Sequence, residues 1–434
     1  MNRVPGASIE RATPQDGDRV NLRLPHLPDD FYASHDVLRR VQRAARADQV
    51  SPDAVLLAVL GRVAATIPVA ATVNGRPLNL IVALVGHSGS GKSSSHRVAR
   101  RLVPLDIDRD GIGVGSGEGI AQAYLAREGG QNVQARDVVT FYVDEGERLL
   151  TLKKRDGSTT HDTIRSAWDA ETLGQANAQA DTTRLLKANT YRFVMTVGLQ
   201  PPFAANLLAD QSAGTPQRFL WAAASDPGAP DVVPSWPGEL GGLTTDVTPF
   251  CLDAEVRRIV QARRHQANVE GGHADPHEAH TTQLQLRVAA ILAHLVDHGS
   301  RQITPAIWNM AALIVENSRL VRQELMRSHQ QTKNDELVDT VTSRMMAKDL
   351  ASDKFHEQKL ERVAANILRF VISNADRETG TVKRHEARRH VGRDRDHFQD
   401  ALARLIARRD VIAEGNTLRP KSAGGQVDRW TSFT

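Results

Sequence analysis

Apolar positions recur at helical spacing over residues 34–47 and again over 51–66, where Ser51-Pro52-Asp53 offers an N-cap and a first-turn proline. The period then shortens. Residues 69–73 and 78–85 read as strands joined by a tight Asn74-Gly75 turn, and the apolar runs 138–143 and 191–197 read as buried strands. Helical spacing returns at 94–102, stopped before Pro104, and in two amphipathic stretches, 282–297 and 305–326. A charged helix over 334–354 precedes helices at 358–373 and 394–408 and the short strand pair VIAEG and TLRP. Residues 1–25 and 225–250 carry Pro and Gly without periodicity; the first reads as a mobile tail, the second as a long connection where the domain changes. The pattern predicts an α/β fold in four stretches. These are a tail with a helical lead-in over 1–68, an α/β core over 69–250, a helical region over 251–345, and a connector helix with a helix-and-wing module over 346–434.

A chain of 434 residues has room for two or three domains and a large core. Its 55 Lys and Arg against 51 Asp and Glu leave only +4, so total charge does not decide the partner; its location must. The single cysteine, Cys251, excludes a disulfide framework and a cysteine-rich zinc ribbon, and suits a reducing compartment. No signal core and no run near ~18 apolar residues is present, which points to a soluble cytoplasmic protein without a membrane partner.

The strand 78–85 runs into Gly86-His87-Ser88-Gly89-Ser90-Gly91-Lys92-Ser93-Ser94, the G-x-x-x-x-G-K-[ST] phosphate-binding pattern, and a helix follows. Small residues let backbone N–H groups curl round the phosphates of ATP, Lys92 reaches the β- and γ-phosphates, and the Ser93 hydroxyl takes a place on Mg²⁺. Strand 138–143 ends in Asp144-Glu145. Carboxylates at the end of a parallel strand suit two tasks, Asp144 holding the magnesium shell and Glu145 orienting and deprotonating water. Gln200, at the end of strand 191–197, is placed to sense the γ-phosphate or position that water.

Other stretches leave two readings open. The Gly113-Val114-Gly115-Ser116-Gly117-Glu118-Gly119 run, followed by a helix, is either a tight structural loop or one facing DNA or nucleotide. The basic region 152–190, with Lys187, is a solvated face or hairpins touching a nucleic-acid backbone. Arg218, entering the next apolar strand, is a surface ion-pair member or an arginine acting on a neighbouring subunit's phosphoryl group. Arg287 lies where a helix presents it to nucleotide or to solvent. The His265, His273, His277 and His280 group sits in a loop-like stretch without ligand-grade spacing, and a metal site is not expected there.

The C-terminal module concentrates the charge. Residues 360–434 hold fifteen Lys and Arg against ten Asp and Glu, a balance of +5 that exceeds that of the whole chain. Arg388, Arg389, Arg393, Arg395, Arg404 and Arg408 are its candidates for phosphate contact, and helix-helix-helix-wing is the order of a winged helix, which grips DNA or protein.

Taken in order, these motifs resemble an AAA+ ATPase, and within that class the motor of minichromosome maintenance (MCM) helicases and related helicase-like proteins of phages and plasmids. The resemblance covers about 69–320 and more loosely the module to 420. It implies a P-loop AAA+ core, a helical lid and a C-terminal winged-helix domain. It further implies Gln200 as sensor, Gln217-Arg218-Phe219 as the arginine-finger motif and Arg287 as the lid's second sensor. The family's zinc-bearing N-terminal region has no counterpart before Pro68, and 4% aromatics favour backbone tracking over base stacking. The expectation is a homo-oligomer, a hexameric ring, hydrolysing ATP with Mg²⁺ at subunit interfaces. As a DNA helicase or translocase it would act with replication proteins of a phage, satellite or plasmid. The alternative is a nucleotide-dependent switch, initiator or loader whose winged helix binds a partner protein or an operator.

Overall fold

A computed structural model describes residues 22–153, 159–175, 184–209, 214–241, 246–269, 280–297 and 299–421. The chain forms two compact units, 1–332 and 333–434. Most of the expected N-terminal tail lies outside the described residues, but its end does not behave as a tail: Leu24 is buried in the first unit's core, as is Leu27 just beyond it.

In the first unit, α1 (Asp29–Ala33) and α2 (Asp36–Ala47) lead to α3 (Pro52–Thr66), capped by Ser51 Oγ accepting from the Ala54 N–H at 3.3 Å. The expected lead-in is a structural centrepiece instead. Because α3 is apolar on every face, it is buried from Pro52 to Ala65 and runs against the sheet, where a Cβ on Gly61 would stand 3.1 Å from Val194. Its charges are satisfied internally. Arg62 donates to the Val103 carbonyl at 2.6 Å and pairs with Asp110 at 2.9 Å, and Asp53 accepts from the Tyr32 hydroxyl at 2.6 Å.

The expected hairpin before the core shrinks to its turn. Asn74 and Gly75 take positive φ, but only Val73 and Arg76 bridge. The chain continues through β1 (Leu80–Val85), α4 (Lys92–Leu102), α5 (Gly117–Gln122) and a hairpin of β2 (Leu125–Glu128) and β3 (Gln131–Gln134). Then follow β4 (Val138–Val143), α6 (Glu147–Lys153), α7 (Thr160–Trp168) and a second hairpin of β5 (Leu173–Gln175) and β6 (Arg184–Leu186). Last come β7 (Arg192–Leu199), α8 (Pro201–Ala209) and β8 (Phe219–Ala223). Strands β4, β7, β1 and β8 form, in that order, one parallel sheet, each buried as its continuous apolar run predicts. All four carboxyl ends therefore share one edge, where open parallel sheets place ligands.

The proline-rich connection after β8 is strapped down. Leu240 N–H donates to Leu102 O at 2.7 Å, and the Arg101 guanidinium lies 3.9 Å over Trp236. Beyond it come β9 (Cys251–Leu252), α9 (Ala254–Val269), α10 (Thr281–Val296), β10 (Gln302–Ile303) and α11 (Pro305–Asn374). Two expectations change here. α10 is not amphipathic but buried on all sides from Leu284 onward, and the three helices expected from 305 to 373 are one helix of 70 residues. No glycine or proline interrupts it after Pro305.

In the second unit, Leu360, Val363, Ile367 and Val371 on the last turns of α11 share a core with Ala387, Phe398, Leu402, Leu405, Val411 and Leu418. These come from α12 (Arg384–His390), α13 (Phe398–Ala407) and the strands β12 (Val411–Glu414) and β13 (Thr417–Pro420). The expected strand pair gains a third member, β11 (Val382–Lys383), in an antiparallel sheet ordered β11-β13-β12.

Candidate active site

The loop between β1 and α4 is tied to the sheet edge by Gly86 N–H donating to Leu199 O at 3.0 Å and Ala224 N–H donating to Val85 O at 2.7 Å. It turns twice through left-handed backbone, at Gly89 (φ 78°) and Gly91 (φ 88°), where a side chain would be strained. Gly91 caps α4 without any side-chain acceptor, so the first N–H groups of that helix carry their partial positive charge into open space. Lys92 folds back, its Nζ donating to the Gly86 and His87 carbonyls at 2.7 Å each. Burial lowers its pKa, and the Asp144 charge opposes that shift.

The facing wall is the end of β4. Asp144 and Glu145 are exposed, and the Tyr142 hydroxyl donates to Asp144 Oδ1 at 2.6 Å. On the other side of Tyr142, His96 of α4 stacks at 4.1 Å and 10°. The stack joins the helix behind the loop to the strand that carries the acids. His96 is neutral there, its pKa held at about 4 first by burial and then by the nearby Arg62 charge. Two glycines set the spacing: Gly146 N–H donates to Gly198 O at 2.8 Å, and a Cβ on Gly198 would sit 2.6 Å from Asp144 O. Because β7 lies between β1 and β4, Gln200 emerges between loop and acids.

Residues 88–94, Asp144, Glu145, Gln200 and Phe203 line one cavity of about 320 Å³. Cationic and N–H donors on one side suit a polyanion, and carboxylates on the other suit a cation that would bridge to it. Ser93 and Asp144 fit a magnesium ion, which takes one or two protein oxygens and completes its shell with phosphate and water. Among the described residues no group of three or more His, Cys, Asp and Glu is placed to hold a metal by itself, and residues 270–279 of the histidine-rich loop lie outside them.

Other candidate residues are not brought to this cavity. Arg218 closes a 3₁₀ turn at the amino end of β8, the opposite sheet edge, where it pairs with Asp169 at 3.0 Å and donates to Gly214 O at 2.7 Å. Arg287 is not presented by a lid. It is fully buried on α10, donating to Asn79 O at 3.0 Å with its guanidinium 3.7 Å over Trp168, because α10 packs inside the core. Lys187 is exposed beyond β6. In the glycine-rich 113–119 segment, Ser116 caps α5, Gly117 leaves no room for a Cβ beside Thr163 Oγ1 at 2.6 Å, and Gly113 and Val114 border a recess behind Asp144.

In the second unit, Arg388, Arg389, Arg393 and Arg395 are exposed. Arg404 and Arg408 each lie beside a carboxylate of α11: the first pairs with Glu357 at 3.3 Å, and the second donates to Glu361 at 2.8 Å. The missed neighbours of the site are Tyr142, His96, Gly146 and Gly198. Only Tyr142 carried a signal, the alternation of β4, which puts it on the same side as Asp144. No model of a known protein family matches the chain, and no curated protein matches it. Among the described residues no helix is long and apolar enough to cross a membrane.

Proposed function

We propose that the chain is a magnesium-dependent ATPase of the AAA+ type, working as an oligomeric DNA helicase or translocase in replication of a mobile element. The observation that carries this reading is the single cavity in which the 88–94 loop meets Asp144, Glu145 and Gln200. The triphosphate enters along the N–H groups of the loop and the first turn of α4, and Lys92 exchanges its two carbonyl acceptors for phosphate oxygens. Ser93 and Asp144 would hold magnesium, which would supply neutralisation of the charge on the phosphoryl oxygens. Tyr142 fixes the orientation of the Asp144 carboxylate through its hydrogen bond. Glu145 accepts the proton of the attacking water, and Gln200 holds that water in line. The test is ATP turnover of the full chain with magnesium, alone and with single-stranded or duplex DNA; turnover stimulated by DNA is expected.

A second reading, a nucleotide-dependent assembly switch, initiator or loader that grips a partner protein or an operator, draws support from one feature. Leu337, Val338, Val341, Met345 and Phe355 are exposed on α11. A protein partner would cover them, whereas a DNA backbone would not.

A further inference from the structure

At the opposite edge of the sheet from the candidate active site, a pocket of about 240 Å³ is lined by Arg76, Arg263, Arg264 and Arg287 together with Thr282 and Gln283, and by no carboxylate among the described residues. Arg287 donates to Asn79 O, just before β1, so β1 separates the pocket from the 86–93 loop by roughly 23 Å at about 3.3 Å per residue.

Its charge is poorly compensated. Asp169 takes Arg76 at 3.3 Å and Arg218 at 3.0 Å, one carboxylate for two guanidiniums. Arg263 meets only the neutral Gln285 Oε1 at 2.8 Å and the Trp308 ring, and Arg264 is exposed with no partner among the described residues. Arg287, fully buried, has only neutral company among the described residues: the Asn79 carbonyl, the Trp168 indole face and, with its amide oxygen turned inward, Gln283, which accepts from Arg287 at 3.1 Å and from Arg76 at 3.2 Å; its Nε has no acceptor among them. Such a charge without a counter-ion is costly to keep. Its guanidinium pKa is pushed down to about 9, first by burial and then, against Asp169, by Arg76 and Arg218. A 16-residue helix also opens here: α10 begins at Thr281, and its N-terminal dipole adds to the field.

We propose that this pocket is a second oxyanion site, which takes a phosphate or pyrophosphate group. Four guanidiniums around a small volume match the several acceptor oxygens of that group, and its charge replaces the missing carboxylates. The group arrives either free in solution or on a nucleotide held by a second copy of the chain. The site goes beyond the proposed ATPase reaction and stands whether or not that reading holds.

The test titrates the full chain carrying Lys92→Ala with pyrophosphate by calorimetry, so that the first loop contributes little. Binding that weakens with salt is expected, and adding Arg264→Ala or Arg76→Ala should weaken it about tenfold or more, as loss of a charge-assisted contact does. Arg264→Lys should restore part of it. Arg264 is exposed and unpartnered, so its removal leaves the fold intact, which circular dichroism checks. Light scattering on the Glu145→Gln chain with ATP separates the sources: a mass that stays at one chain assigns the site to free anion. A mass that rises with ATP and falls back in Arg264→Ala assigns it to the neighbour's nucleotide. Absence of pyrophosphate binding to Lys92→Ala, or equal binding by the arginine variants, overturns the proposal.

Discussion

Arg218→Ala is the perturbation that reaches furthest into the proposed assembly. Ala223, at the carboxyl end of β8, pairs with Val85 beside the 86–93 loop, and Arg218 stands five residues earlier. At about 3.3 Å per residue the gap is roughly 17 Å, well beyond the reach of an arginine side chain. A catalytic role for Arg218 therefore requires a second chain docked head to tail. A finger supplied in trans contributes about 10³–10⁵ to turnover, or about 4–7 kcal/mol. Against this stands the release of Arg218 from Asp169 at 3.0 Å, a charge-assisted contact of about 1.5–3 kcal/mol. The difference, about 1–5.5 kcal/mol, leaves a loss of about 5- to 10⁴-fold in kcat for Arg218→Ala, with ATP binding retained. The assay mixes Arg218→Ala with Glu145→Gln, each nearly inactive alone. In a random equimolar assembly about a quarter of the interfaces pair an intact Glu145 with an intact Arg218, and ATPase should return in that proportion. A mixture that stays dead while the two chains demonstrably co-assemble, or dilute monomer that is fully active, refutes the reasoning.

Three further outcomes are expected. His96 titrates at about 4 in the folded chain against about 6.5 unfolded, so the stability it contributes is present above pH 6.5 and lost as pH falls towards 4. The upper limit is about 3 kcal/mol, and denaturant melts of wild type and His96→Phe should differ in slope across that window. Tyr142→Phe removes the hydrogen bond to Asp144 and should raise the magnesium concentration for half-maximal turnover about fivefold, while leaving ATP affinity in the absence of metal unchanged. Arg388→Ala with Arg389→Ala should lower the slope of log affinity for DNA against log salt by about 2, whereas Arg408→Ala, which only loses Glu361, should leave that slope unchanged and lower the melting temperature of the second unit.

Much of the first unit was legible in the chain because its signals are local. The apolar run at β1 and the glycine spacing after it determine a strand, a loop with positive φ and a helix, and Asp144-Glu145 closes β4 where the run 138–143 ends. What local pattern cannot carry is who packs against whom. α3 and α10 are apolar all round, a property that periodicity reads as a generic helix and that only the assembled core explains. Arg287 was misplaced for that reason: the residue type suits phosphate, but the helix bearing it is interior. Likewise Arg404 and Arg408 read as free cations until the turns of α11 bring Glu357 and Glu361 beside them. The pairing of Tyr142 with Asp144 was within reach of the two-residue strand period, but the stacking of His96 on it is a contact between elements far apart in sequence.

Glu145→Gln tests the central claim most directly, because the amide keeps the shape of the side chain and cannot take a proton. The measurement is a pair: ATP affinity by calorimetry and ATP turnover under saturation, with Lys92→Ala as the companion variant. Glu145→Gln is expected to bind ATP as wild type does and to lose turnover about 10²–10⁴-fold, while Lys92→Ala loses affinity itself. Hydrolysis by Glu145→Gln at the wild-type rate, or undiminished ATP affinity in Lys92→Ala, would contradict it.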